Sequence, residues 1–220
     1  LAHVQLRLEK YSAANLNLHR AISLGPQFAD PYNDLGLLVI KTGNIDSAIV
    51  LHRMAVARHD AAGGNPEKLA HFYMNLADAF DRKKWPDSVD LYLMMARQAA
   101  PEFHRCYFHS AAYYARLSRY ARADSLFQQG SLYGRPTAVD LFNWGLSYLR
   151  RQEYSTATDK MFEVIERDST FYQAYHCIAA SYFENGFPTD SVNRYLGLAL
   201  RYNPSYAPAL RLQEAVSGRN

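Results

Sequence analysis

The sequence predicts an all-α chain built from stacked pairs of helices, and three observations carry that prediction. A pattern of large and small residues returns about every 34 residues along nearly the whole chain. Inside each return, apolar residues keep helical spacing. Tyr73, Leu76, Ala77 and Phe80 fall at i, i+3, i+4 and i+7, which is one stripe of an α-helix. No stretch alternates apolar and polar residues for long enough to argue for a sheet.

The elements follow in order. Residues 1–28 read as a partial repeat carrying Tyr11, Ala14, Leu18, Ala21, Ile22, Leu24 and Pro26. Residues 29–62 form the first full repeat, with Tyr32, Leu35, Gly36 and Val39 followed by Ala48 and His52. Asp30 before Pro31 is expected to cap its first helix, with proline at the first helical position. Residues 63–69 are an insertion, read as a loop or as a lengthened helix. Gly63–Gly64 marks a flexible break, and Asn65–Pro66 repeats the cap-and-proline start. Repeats follow at 70–103, 104–137, 138–171 and 172–205. Thr137 with Asp140 has the spacing of an acidic capping box. Gly43–Asn44 and Asn185–Gly186 punctuate turns between paired helices, and Pro86 and Pro188 stand at the starts of second helices. Residues 206–217 are expected to form a polar capping helix with Arg211, Gln213 and Glu214.

The large–Leu–Gly/Ala–Tyr spacing, with a later alanine, an aromatic and a closing proline, resembles the tetratricopeptide repeat (TPR) family over almost the whole chain. The resemblance implies a right-handed α-solenoid of helix-turn-helix repeats. Departures are His52 at an aromatic or Leu slot, Gly130 in place of a small alanine, and Arg135 and Ser169 in place of the closing proline. The small residues Gly36, Ala77, Ala111, Gly145 and Ala179 are expected to let each second helix approach its partner closely.

Composition narrows the function. The net charge of +3 is small and dispersed, with no run of Lys or Arg to track phosphates, so no nucleic-acid partner is expected. No segment is apolar enough to span a membrane. Cys106 and Cys177 lie in different repeats and read as buried free thiols. No phosphate loop, GxSxG, HExxH or CxxC is present, so the chain reads as no enzyme, with no cofactor. His104, Cys106 and His109 are the nearest approach to a metal cluster, but His104 and His109 point about 140° apart around one helix and suit a single ion poorly. His176 and Cys177, as neighbours, diverge by about 100°.

By resemblance, the first helix of each repeat lines a concave groove. Projecting that face gives His71, Asn75, Arg105, Phe108, His109, Phe142, Asn143 and Arg150 as the partner-binding set. Phe108 and Phe142 would be its exposed aromatic anchors. A subfamily holds the terminal carboxylate of chaperone tails in a clamp of Lys, Asn and Arg. Asn75, Arg105 and His109 stand in slots similar to its later part, but Asn33 and Leu37 replace the earlier lysine and asparagine, so the full clamp is not expected. The expected function is a non-catalytic scaffold binding a protein or peptide segment. The alternative is a TPR arm of a larger enzyme or membrane-associated complex, such as a glycosyltransferase. A cytoplasmic setting is expected, with the periplasm or the soluble arm of a membrane protein as alternatives. The chain begins inside a repeat, so a longer protein is expected. The apolar face of Leu1, Leu6 and Leu8 should then be covered by a preceding repeat or by self-association.

Overall fold

The computed structural model describes the backbone of residues 2–218 and the side chains of residues 11–218. Among the described residues there are twelve helices and no strand. The chain forms two compact units, Leu1–Cys106 and Tyr107–Asn220. The first holds α1 (Ala2–Leu24), α2 (Asp30–Lys41), α3 (Ile45–Ala62), α4 (Pro66–Arg82) and α5 (Pro86–Ala99). Helix α6 (His104–Arg116) starts in the first unit and ends in the second. The second unit continues with α7 (Tyr120–Tyr133), α8 (Ala138–Arg150), α9 (Tyr154–Arg167), α10 (Tyr172–Glu184), α11 (Thr189–Tyr202) and α12 (Ala207–Ser217).

Consecutive helices pair within each unit: α2 with α3 and α4 with α5 in the first, α8 with α9 and α10 with α11 in the second. The predicted stripes form the core. Leu76, Ala77, Phe80, Val89, Leu93 and Ala96 are buried between α4 and α5, and Leu141, Met161, Val164 and Ile178 in the second unit. Each large apolar side chain buried in this way contributes about 1.5–3 kcal/mol relative to exposure. Helix α12 places Ala209 and Val216 against the last pair and leaves Arg211, Gln213 and Glu214 exposed.

The period is written most sharply in the turns that end the first helices. Five residues with positive φ stand there: Gly43, Lys84, Ser118, Gln152 and Gly186. The last four are spaced about 34 residues apart, and the step from Gly43 to Lys84 is longer by the insertion. Each turn closes with the same pair of bonds. Lys84 N–H donates to the Asp81 carbonyl at 2.9 Å and Trp85 N–H to the Phe80 carbonyl at 3.1 Å. This is the Schellman motif, which satisfies carbonyls orphaned at the helix end. Its usual apolar contact is present as ring stacking, Phe80 on Trp85 at 5.8 Å and Tyr182 on Phe187 at 4.4 Å.

The insertion divides between a turn and the helices beside it. Gly63, at φ 60°, ends α3. Gly64 lies under the His59 ring, where a Cβ would collide with Nε2. The Asn65 side chain then caps α4, accepting from the Glu67 N–H at 2.7 Å and the Lys68 N–H at 3.3 Å. Helices α3 and α4 reach 18 and 17 residues, against 14 for α5 and 13 for α8. The Thr137–Asp140 capping box forms with both reciprocal bonds.

Asp30 does not cap as expected. Helix α2 starts one residue earlier, with Ala29 at the cap and no side-chain bond there. The Asp30 carboxylate instead accepts from Lys68 Nζ at 3.0 Å. The lysine belongs to the insertion, so no single-repeat pattern could have foretold this partner. The expectation for Leu1, Leu6 and Leu8 falls on side chains outside the described residues.

Candidate functional site

Within the first unit, the predicted face is tied into a polar network. Asn75 Nδ2 donates to Asn33 Oδ1 at 2.7 Å, and His52 Nδ1 lies 3.1 Å from the same oxygen. Since that oxygen is the acceptor for Asn75, Nδ1 of His52 carries the proton and Nε2 is bare. Nε2 is buried with no hydrogen-bond partner. The ring lies on the backbone of α2, where a Cβ on Gly36 would come within 2.6 Å of Cε1. Burial pulls the His52 pKa down to about 4, against an opposing pull from the charge of Asp78. His52 thus fills an aromatic slot as a neutral ring. Sequence reasoning noted it only as a departure, although its pairing with Gly36 was a usable signal.

His71 is half-buried and meets the Phe103 ring edge-on at 5.0 Å. Arg105 is exposed on the first turn of α6. Asn33 and Leu37 separate in character: Asn33 is buried in the network, whereas Leu37 is exposed.

Within the second unit, Phe108 corrects the projection. It was expected to be an exposed anchor, but it is 1% exposed. Its ring lies 6.4 Å from that of Phe127 and fills the space left by Gly130, where a Cβ would come within 2.8 Å of Phe108 Cε1. The same repeat slot holds Asn33 and Met74 in the preceding first helices, and both are buried too. Packed against Gly130, Phe108 belongs to the core. Phe142, one repeat later, stays half-buried, with its ring 4.9 Å from that of Phe171. His109 and Asn143 are half-buried on α6 and α8. Arg150 is exposed and donates from Nη1 to the Ala115 carbonyl at 3.2 Å, capping the end of α6.

A centre missed from the sequence lies in the second unit around Arg151. Arg151 donates to Asp124 Oδ2 at 2.8 Å and pairs with Glu153 Oε1 at 3.2 Å. Its guanidinium sits 4.4 Å from the Tyr148 ring centre and 5.3 Å from that of Tyr120. Trp144 Nε1 donates to the other oxygen of Asp124 at 3.3 Å. Both cysteines are buried and neither is in a disulfide, and the Cys106 thiol donates to the Ala96 carbonyl at 3.6 Å. Burial pushes both pKa values up to about 12, so neither is a nucleophile at neutral pH.

Solved structures share this arrangement of helices. One is Cut9 in the APC/C hetero-tetramer Cut9–Hcn1, 18% identical, with a TM-score of 0.76 over 96% of this chain and 40% of that one. Another is yeast Tom70, 15% identical, with a TM-score of 0.78 over 93% of this chain and 43% of that one. A third is YrrB, described as a TPR protein with an unusual peptide-binding site, 16% identical, with a TM-score of 0.60 over 90% of this chain and 97% of that one. The chain has the tetratricopeptide-repeat fold. It spans about two-fifths of the Cut9 and Tom70 chains that it matches. No protein-family model matches it, and none of the curated proteins does. No helix among the described residues is long and apolar enough to cross a membrane.

Proposed function

We propose that this chain is a non-catalytic interaction module whose first-helix faces bind an extended segment of a partner protein. One observation carries the reading. Within the second unit, His109 of α6 and Asn143 of α8 occupy one repeat slot and both stay partly open at the surface, and Asn75 holds the matching position in the first unit taken by itself. Helix walls have satisfied backbones, so recognition there falls to such side chains. Amides and imidazoles can hydrogen-bond an extended peptide, and exposed Arg105 and Arg150 can meet its carboxylates bidentately. Phe142 supplies apolar contact in the second unit, a residue class that often dominates interface energy. Phe108 has no part in this. The likeness to a TPR protein with a peptide-binding site supports the reading.

The test is selection from a displayed peptide library on the full chain, repeated with Asn75→Ala, Arg105→Ala, Phe142→Ala and Asn143→Ala. Peptides selected on the parent should bind the combined variants at least tenfold more weakly, with helicity unchanged. Unchanged binding, together with loss on substituting exposed Asn193 and Arg194 of second helix α11, would place recognition elsewhere.

A further inference from the structure

A cleft of about 450 Å³ opens in the second unit between α9, α10 and the turn after α10. Three aromatic rings line it: Phe162 of α9, Tyr182 of α10 and Phe187 of the turn. Asp159, Thr158 and Asn185 line it too, and no lysine or arginine does. Tyr182 and Phe187 stack at 4.4 Å, so the Schellman turn itself fixes the aromatic wall. Phe187 is 48% exposed, so one side of the stacked pair faces the cleft and solvent. Asp159 is exposed and forms no ion pair among the described residues. Its charge is felt at the Tyr182 hydroxyl, whose pKa is raised first by burial, then by Tyr195 and to a smaller extent by Asp159. Arg194 is also felt there but stands outside the lining.

We infer that this cleft binds a lysine side chain of a partner protein. A carboxylate beside aromatic rings is a setting that attracts a cation, through Coulomb attraction and the ring quadrupole. An ammonium carries three donors, and the lining residues Asp159, Thr158 and Asn185 each possess an acceptor oxygen. The rings match the apolar stem, which lysine buries while its head stays polar. The site shares no residue with the proposed partner-binding set: Asp159 and Phe162 belong to second helix α9, Phe187 to a turn, and Tyr182 of α10 is outside that set. It therefore does not depend on the peptide-binding reading above.

The experiment titrates the full chain with Nα-acetyl-lysine methylamide, followed by the backbone amide shifts of residues 155–163 and 182–188. The norleucine derivative, equal in stem but uncharged, is the control. The lysine probe should move amides of both segments and bind at least tenfold more tightly than norleucine. Asp159→Asn should remove most of that preference. The residue is exposed, so the variant should keep the parent's melting temperature, whereas Asp190→Asn, at an exposed position of α11, should leave the preference intact. Absence of binding, equal binding of norleucine, or an undiminished preference in Asp159→Asn would each overturn the inference.

Discussion

The Phe108 ring occupies the volume that a side chain at residue 130 would need: a Cβ there would lie 2.8 Å from Phe108 Cε1 and 3.0 Å from Tyr107 Cβ. Glycine inside a helix costs about 1 kcal/mol relative to alanine. Gly130→Ala should nevertheless destabilise the fold by about 1 kcal/mol, because overpacking costs about 1–3 kcal/mol and the Tyr107 Cβ cannot swing aside. In the Phe108→Leu background the same change should cost less. Chemical denaturation of the four members of this cycle checks it, and an additive cycle would mean that the two residues do not compete for space. Phe108→Ala alone should cost about 3–5 kcal/mol, the range for a buried aromatic.

Gly145 plays a comparable part against α9. A Cβ there would come within 2.6 Å of Met161 Cε and 3.1 Å of Lys160 Cβ. Gly145→Leu should therefore lower stability by about 1–3 kcal/mol. A variant melting within a degree of the parent would show that the pair can separate without loss.

The Schellman turns give a prediction of opposite sign. Lys84, Ser118 and Gln152 hold φ near 60°, while Gly43 and Gly186 meet the same demand without a Cβ. A left-handed conformation costs an L-residue about 1–2 kcal/mol, and glycine's extra chain entropy gives back about 0.5–1 kcal/mol. Each of Lys84→Gly, Ser118→Gly and Gln152→Gly should stabilise by about 0.5–1 kcal/mol. Gly186→Ala should destabilise by a similar amount although nothing stands within 4 Å of its Cβ. Urea midpoints check all four, and a destabilising Gln152→Gly would show that the glutamine side chain outweighs the backbone.

These turns also show what the sequence could and could not reveal. The stripes on α4 and α10 were legible because burial imposes the helical period directly on residue type. Gly43 and Gly186 were legible as turns, but Lys84, Ser118 and Gln152 were not, since any residue can be forced into that conformation by the packing on both sides. The burial of Phe108 was hidden for a related reason. Whether its slot opens to solvent or to the core is decided by Gly130, on a different helix, and a projection around one helix axis contains no term for that. Asp30 failed likewise, drawn to Lys68 from an insertion outside its own repeat.

His52 should make stability fall on acidification. Burial lowers its folded pKa from 6.5 to about 4, so the folded ring stays neutral while the unfolded ring takes up a proton. The stabilising contribution is thus complete above pH 6.5 and is lost progressively down to about pH 4. At about 1.4 kcal/mol per pH unit, the loss over the window is about 3 kcal/mol. His52→Leu should have a flatter profile than the parent between pH 6.5 and 5, a range in which carboxylates contribute little. Parallel slopes for parent and variant, measured by denaturation at several pH values, would count against a buried neutral imidazole.

Arg151 should be worth more than any exposed ion pair in the fold. Its side chain and that of Asp124 are 19% and 20% exposed, so their interaction is poorly screened, and the guanidinium also lies over Tyr148. Lys68 and Asp30, at 48% and 60%, are a solvated pair of the kind that contributes about 0–1 kcal/mol. Arg151→Ala should cost about 2 kcal/mol, because Asp124 would keep only the Trp144 N–H as a partner and its remaining charge would sit half-buried. Arg151→Lys should recover less than half of that, since an ammonium has no planar fork for the carboxylate and no flat face for the tyrosine. Raising the salt should erase the effect of Lys68→Ala and leave that of Arg151→Ala nearly intact. Equal salt sensitivity in the two variants would mean that Arg151 is an ordinary surface charge.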